Sequence, residues 1–166
     1  RNSVWRSEKT LWEDALKKTP NSGRSFHNIG YYFDKKGERS KAMDFYQKAL
    51  SATYHTRTSS HAVLYNNIAG LHFSGKNYEK AIYFYNKALE IYPKYLPAYY
   101  RKTQALLKMK NYSEANKVAE YLTSESEDNL VFLNLRGLIN LKFGRNEDAL
   151  NIFQKTLKLD PERKDT

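Results

Sequence analysis

Residues 62–95 read AVLYNNIAGLHFSGKNYEKAIYFYNKALEIYPKY. The pattern predicts two helices, about 60–75 and 78–91, joined by a short turn, and Pro93 ends the second because proline cannot continue a helix. Ala69 stands twelve residues before Ala81, and Tyr85 and Ala88 follow Ala81 on the same helical face. Small residues where two helices cross let the backbones approach, and a ring beside them fills the space. Working outward, Ala115 and Ala149 repeat Ala81 at 34-residue steps, and Ala42 precedes it by 39. Gly30 and Gly137 take the place of Ala69. Tyr46 and Phe153 take that of Tyr85, with Ala119 as the exception. Ala49, then Leu122 and Thr156, take that of Ala88, and Pro161 lies two periods after Pro93. A fixed period of this length in a helical sequence marks an array of stacked hairpins with one continuous core.

These recurring positions resemble the tetratricopeptide repeat family. The resemblance implies an all-α, right-handed superhelical solenoid of antiparallel helix pairs, with about nine helices in a single domain, 1–166. Its expected parts are a half repeat over 1–22 carrying a second helix, repeat one over 23–61 with an insertion, repeat two over 62–95, repeat three over 96–129 and repeat four over 130–164. In the half repeat Trp12, Ala15 and Pro20 occupy the places of the aromatic, the second alanine and the proline. Repeat three departs most, because Lys102 and Thr103 stand where an apolar residue and glycine are usual, so looser packing is expected there.

The remaining expected helices are 3–18, 22–36, 39–54, 95–109, 112–124, 129–143 and 146–158. Asn111 followed by Glu114 has the form of a capping box, and Pro97 suits a first helical turn. The five residues in excess of the period fall around His55–Ser59, a polar segment that reads as a longer loop or as an extra helical turn at each side.

At 166 residues and 40% apolar content the chain can form one domain. No apolar run approaches the roughly 20 residues that span a bilayer, so no membrane insertion is expected of it. It begins at Arg1 without a methionine and is expected to be a piece of a longer protein. Zero cysteines exclude disulfides, thiolate metal sites and cysteine catalysis. The four histidines, His27, His55, His61 and His72, lack the spacing of a helical ligand pair, and no phosphate loop or nucleophile elbow is present. No catalytic residue, metal site or cofactor is assigned, and His72 reads as a packed side chain in a place where the family buries an aromatic.

The resemblance also implies that the first helix of each hairpin lines a concave groove. Carried over by position, the groove residues are Arg24, His27, Tyr31 and Lys35 in repeat one, and Asn66, Asn67 and Phe73 in repeat two. Repeat three contributes Tyr100, Arg101, Gln104 and Lys108, and repeat four Asn134 and Lys142. Amides can bond a peptide backbone, aromatics bury side chains and lysines attract acids, so the stripe suits an extended, acidic peptide or partner surface. Phe73, Leu107, Leu138 and Leu141 read equally as groove residues or as packing between repeats. The carboxylate clamp by which some family members hold chaperone tails is disfavoured, since His27, Tyr31, Asn67, Pro97 and Arg101 occupy its places and Asn67 and Arg101 alone fit.

Arg1-Asn2, Trp5, Leu11-Trp12, Ala15-Leu16, Lys18 and Pro20, leading into Phe26–Gly30, resemble the junction of multipass membrane O-mannosyltransferase-like proteins. That resemblance implies an extracytoplasmic domain recruiting substrates or partners for a membrane glycosyltransferase. Trp5 and Trp12 can equally cap the first apolar face. The net charge of +10 supports a further class, since twelve bases face six acids before Ala62 and fourteen tyrosines could stack on bases. Several tyrosines are assigned to packing and the lysines form no single stripe, so nucleic acid is not favoured. The open ends of such an array also suit self-association.

Overall fold

The computed structural model describes Asp14 and residues 17–52 and 58–161. Among these residues there are eight helices: α1 (Gly23–Lys35), α2 (Arg39–Ala52), α3 (Ser59–Ser74), α4 (Tyr78–Ile91), α5 (Leu96–Lys108), α6 (Tyr112–Glu125), α7 (Leu130–Lys142) and α8 (Asn146–Leu159). Each lies within two residues of its expected span. The tryptophans and Ala15 of the expected helix over 3–18, the His55–Arg57 part of the insertion and the tail from Glu162 lie outside the described residues.

Short polar side chains start α1, α4, α6 and α7. Oγ of Ser22 accepts from the Ser25 amide at 3.2 Å, and Oδ1 of Asn77 from that of Lys80 at 3.2 Å. Oδ1 of Asn129 accepts from Val131 and Phe132 at 3.0 and 3.2 Å. Each bond satisfies an amide that the helix leaves unpaired, and loss of such a cap costs about 1 kcal/mol. Asn111 caps α6 by accepting from the Glu114 amide at 3.3 Å. The Glu114 carboxylate accepts in turn from Asn111 Nδ2 and pairs with half-buried Lys102 at 3.0 Å. Pro97 sits in the first turn of α5.

The helices form two compact units that divide between Lys94 and Tyr95. In the first, α1 pairs with α2 and α3 with α4, and α2 lies against α3; in the second, α5 pairs with α6 and α7 with α8, and α6 lies against α7. The four periodic alanines, Ala42, Ala81, Ala115 and Ala149, are fully buried. Gly30 faces a ring, since a Cβ built on it would stand 2.7 Å from Cδ1 of buried Tyr46. Repeat three reverses the sizes, with Thr103 in the glycine place and Ala119 in the ring place, and both are fully buried. The Thr103 hydroxyl is satisfied by donating to the Tyr99 carbonyl at 2.9 Å. Together these two side chains are smaller than the glycine and ring that meet at the other crossings, in keeping with the looser packing expected of repeat three.

The hairpin turns share one backbone solution, a residue in the left-handed region that reverses the chain after the first helix. Gly37 and Gly144 take it with φ of 76° and 72°, and Lys76 and Lys110 with φ of 61° and 60°.

Candidate functional site

In the first unit, α1 presents exposed Arg24, half-buried His27, exposed Tyr31 and exposed Lys35 along one face. The spacing of three or four residues aligns them, and Lys35 Nζ lies 5.3 Å from the Tyr31 ring centroid. From α3, Asn67 reaches this row: its Nδ2 is 3.0 Å from His27 Nε2, the amide donating to the neutral ring. Burial holds His27 below the usual histidine range, which favours that neutral form, and its ring also lies 5.9 Å from that of Tyr46. Beside the row is a cleft of about 340 Å³ lined by Gly23, Arg24, His27, Thr58, Ser60, Val63 and Leu64. Its rim offers a guanidinium and two hydroxyls, and its floor is aliphatic.

Asn66 departs from expectation. It is buried, with its amide oxygen lacking a hydrogen-bond partner, because α3 turns residues 62, 64, 66, 68, 69 and 71 inward and leaves Asn67 on the rim. Phe73 is half-buried and packs edge-on against Tyr78 of its own repeat at 5.4 Å. His72 is half-buried and stacks on Phe84 at 5.2 Å, and burial together with the Lys80 charge lowers its pKa.

In the second unit, Arg101, Lys108 and Lys142 are exposed, and Tyr100, Gln104 and Asn134 are half-buried. Gln104 donates through Nε2 to the Tyr100 hydroxyl at 3.0 Å, and the Tyr100 ring lies 6.1 Å from that of Phe132. The tyrosine is thereby held between a neighbouring helix and its own next turn. On α7, Val131, Leu138 and Leu141 are close to half exposed, at 47%, 51% and 46%. Among the described residues no three histidine, aspartate or glutamate side chains stand together as a metal site, and no helix is long and apolar enough to cross a membrane.

Family models described as tetratricopeptide repeat match residues 23–54, 62–95 and 100–164. The chain belongs to the tetratricopeptide repeat family. The matched segments contain all eight helices except the ends of α3 and α5, so the faces built above are those of the repeats' first helices. Among curated proteins the chain is 26% identical over 134 residues to the Homo sapiens Protein O-mannosyl-transferase TMTC1. That match covers 81% of this chain, and the chain spans 14% of the relative's length. Among solved structures, MamA aligns with a TM-score of 0.78 at 19% identity, covering 93% of this chain and 88% of that one. YrrB, whose structure is described as a tetratricopeptide repeat protein with an unusual peptide-binding site, aligns with a TM-score of 0.72 at 16% identity, covering 93% and 77%.

Proposed function

We propose that this tetratricopeptide repeat chain is a protein-interaction module whose first-helix faces bind an extended, acidic segment of a partner. The observation that carries the reading is the α1 row, Arg24, His27, Tyr31 and Lys35, with Asn67 and an aliphatic-floored cleft beside it. A peptide laid along it meets an amide and hydroxyls for its backbone, a tyrosine ring to cover a side chain and cations for its carboxylates. Tyr100, Arg101, Gln104, Lys108, Asn134 and Lys142 give the second unit the same chemistry. Micromolar affinity is expected, because a small preformed face must offset the ordering of a flexible ligand. Reversing the charge of Arg24 and Lys35 should weaken binding most at low salt, where attraction is least screened. Binding that ignores both charges at every ionic strength would remove the acidic partner.

The relation to the human O-mannosyl-transferase supports a second reading for the parent protein. In it, this region recruits acceptors or assembly partners for a transferase carried elsewhere, and the region itself performs no transfer. Turnover by the purified chain would contradict that division of labour. A run of membrane spans encoded directly upstream of Arg1 would support it.

Self-association is part of the same proposal. Leu150 and Leu157, seven residues apart on one face of α8, are 56% and 44% exposed, an apolar surface that a second copy can cover. Sedimentation should show concentration-dependent association that Leu150→Asp abolishes, and a strict monomer at all concentrations would exclude it.

A further inference from the structure

Every hairpin turn in this chain is basic. The α1–α2 turn carries Lys35, Lys36 and Arg39, and the α3–α4 turn Lys76 and Lys80; the α5–α6 turn carries Lys108 and Lys110, and the α7–α8 turn Lys142 and Arg145. All nine side chains are exposed. Within the first unit the two turns are neighbours, since a Cβ built on Gly75 would lie 3.4 Å from the Arg39 guanidinium. Within the second unit they meet through Tyr112 and Phe143, whose rings are 6.3 Å apart.

Helix electrostatics explain part of this charge. Lys35, Lys108 and Lys142 close first helices, where a cation offsets the negative end of the dipole. Arg39 and Lys80 do the opposite, because they sit in the first turns of α2 and α4. Lys76 and Lys110 are the clearest departure. They hold the left-handed turn conformation that repeats one and four give to Gly37 and Gly144, a conformation strained for a side chain and free for glycine. Lysine therefore stands twice where glycine would relieve the backbone strain.

The nearby acids do not cancel the charge. Glu38 pairs with Lys41, and Glu114 with Lys102. Glu79, Glu147 and Asp148 lie in first helical turns, and Asp34 lies near the end of α1. With these included, bases outnumber acids six to three at the turns of the first unit and five to three at those of the second. The α6–α7 connection has the reverse character, with exposed Glu125, Glu127 and Asp128.

The second unit adds exposed apolar tips among these bases: Met109 between Lys108 and Lys110, and Leu141 and Phe143 around Lys142 and Arg145, at 38%, 46% and 40% exposure. Apolar tips flanked by long basic stems fit the boundary of an anionic bilayer, where stems reach headgroups and tips enter the acyl region. Stacking of single-stranded bases would need open ring faces. Here Arg145 lies 5.0 Å from the Phe143 centroid, and Lys36 4.9 Å from that of Tyr32. We infer that the hairpin-turn edge of each unit docks on a membrane surface bearing anionic headgroups, with Met109 and Phe143 entering the interface in the second.

The test is co-sedimentation with phosphatidylcholine vesicles, with and without about 30% phosphatidylserine, at roughly 0.1 M and 0.5 M salt. The chain should bind the phosphatidylserine vesicles, ignore phosphatidylcholine alone and release at high salt. The double variant Lys76→Gly, Lys110→Gly should keep or raise the melting temperature, because glycine suits both turns, yet lose binding by at least about fivefold, the loss expected for one base near the surface. Phe143→Ser should weaken binding and leave its salt dependence in place. The proposal is overturned by absence of binding to the phosphatidylserine vesicles, by undiminished binding of the double glycine variant, or by a single-stranded oligonucleotide that binds more tightly and displaces the vesicles. Lys35, Lys108 and Lys142 serve both readings, and the glycine variants separate them: they spare the peptide faces, so lost vesicle binding with unchanged peptide binding assigns the membrane contact to the turns.

Discussion

A Cβ built on Gly137 would stand 2.5 Å from Cε1 of Phe153, so α7 and α8 close on each other only because residue 137 has no side chain. Gly137→Ala should therefore lower stability by about 1 to 3 kcal/mol through overpacking, even though alanine is the better helix former. Adding Phe153→Leu should restore part of the loss, and chemical unfolding of the two variants measures both. An unchanged midpoint for Gly137→Ala would show that the ring has room to move.

Ala81 is fully buried where α4 crosses α3. Ala81→Leu should cost about 1 to 3 kcal/mol, as a core that is already filled must shift to admit three more carbons. Thermal unfolding checks it. Equal melting temperatures for wild type and variant would mean that the alanine period does not mark the helix crossings.

Burial holds His27 below its ordinary value of 6.5, so on acidification the unfolded chain takes up the proton first. Its contribution to stability is full above that value and declines as pH falls from there through the lower folded-state value. The shift of His72 has the same sign, from burial and then from Lys80. Urea unfolding at about pH 7.5 and about pH 5.5 should show a smaller acid-induced loss in His27→Gln than in wild type. An equal loss in both would place the pH dependence elsewhere.

The period of alanines, glycines and rings specifies the helix pairs because each marks a steric event at a crossing, and sterics repeat with the chain. Repeat three was harder to read. Its crossing replaces the small residue and ring of the other repeats by Thr103 and Ala119, two modest side chains that are both fully buried, so the ring that marks the other crossings is missing. The faces of the first helices were legible by phase and less so by exposure. Asn66 and Asn67 are adjacent on one helix, and which of them turns inward depends on how α3 is rotated against its neighbours. The basic turns were countable in the sequence, but the left-handed backbone of Lys76 and Lys110 is a property of the folded turn.

The most direct test of the central claim is selection of random peptides of about twelve residues on the purified chain, followed by calorimetric titration of the enriched sequences. Enriched peptides should be acidic and bind with micromolar affinity. Tyr31→Ala and Tyr100→Ala should weaken them several-fold, and Tyr83→Ala, an exposed ring on the second helix of its hairpin, should leave them unchanged. Enrichment of basic or uncharged peptides, or losses confined to Tyr83→Ala, would contradict the assignment of binding to the first-helix faces.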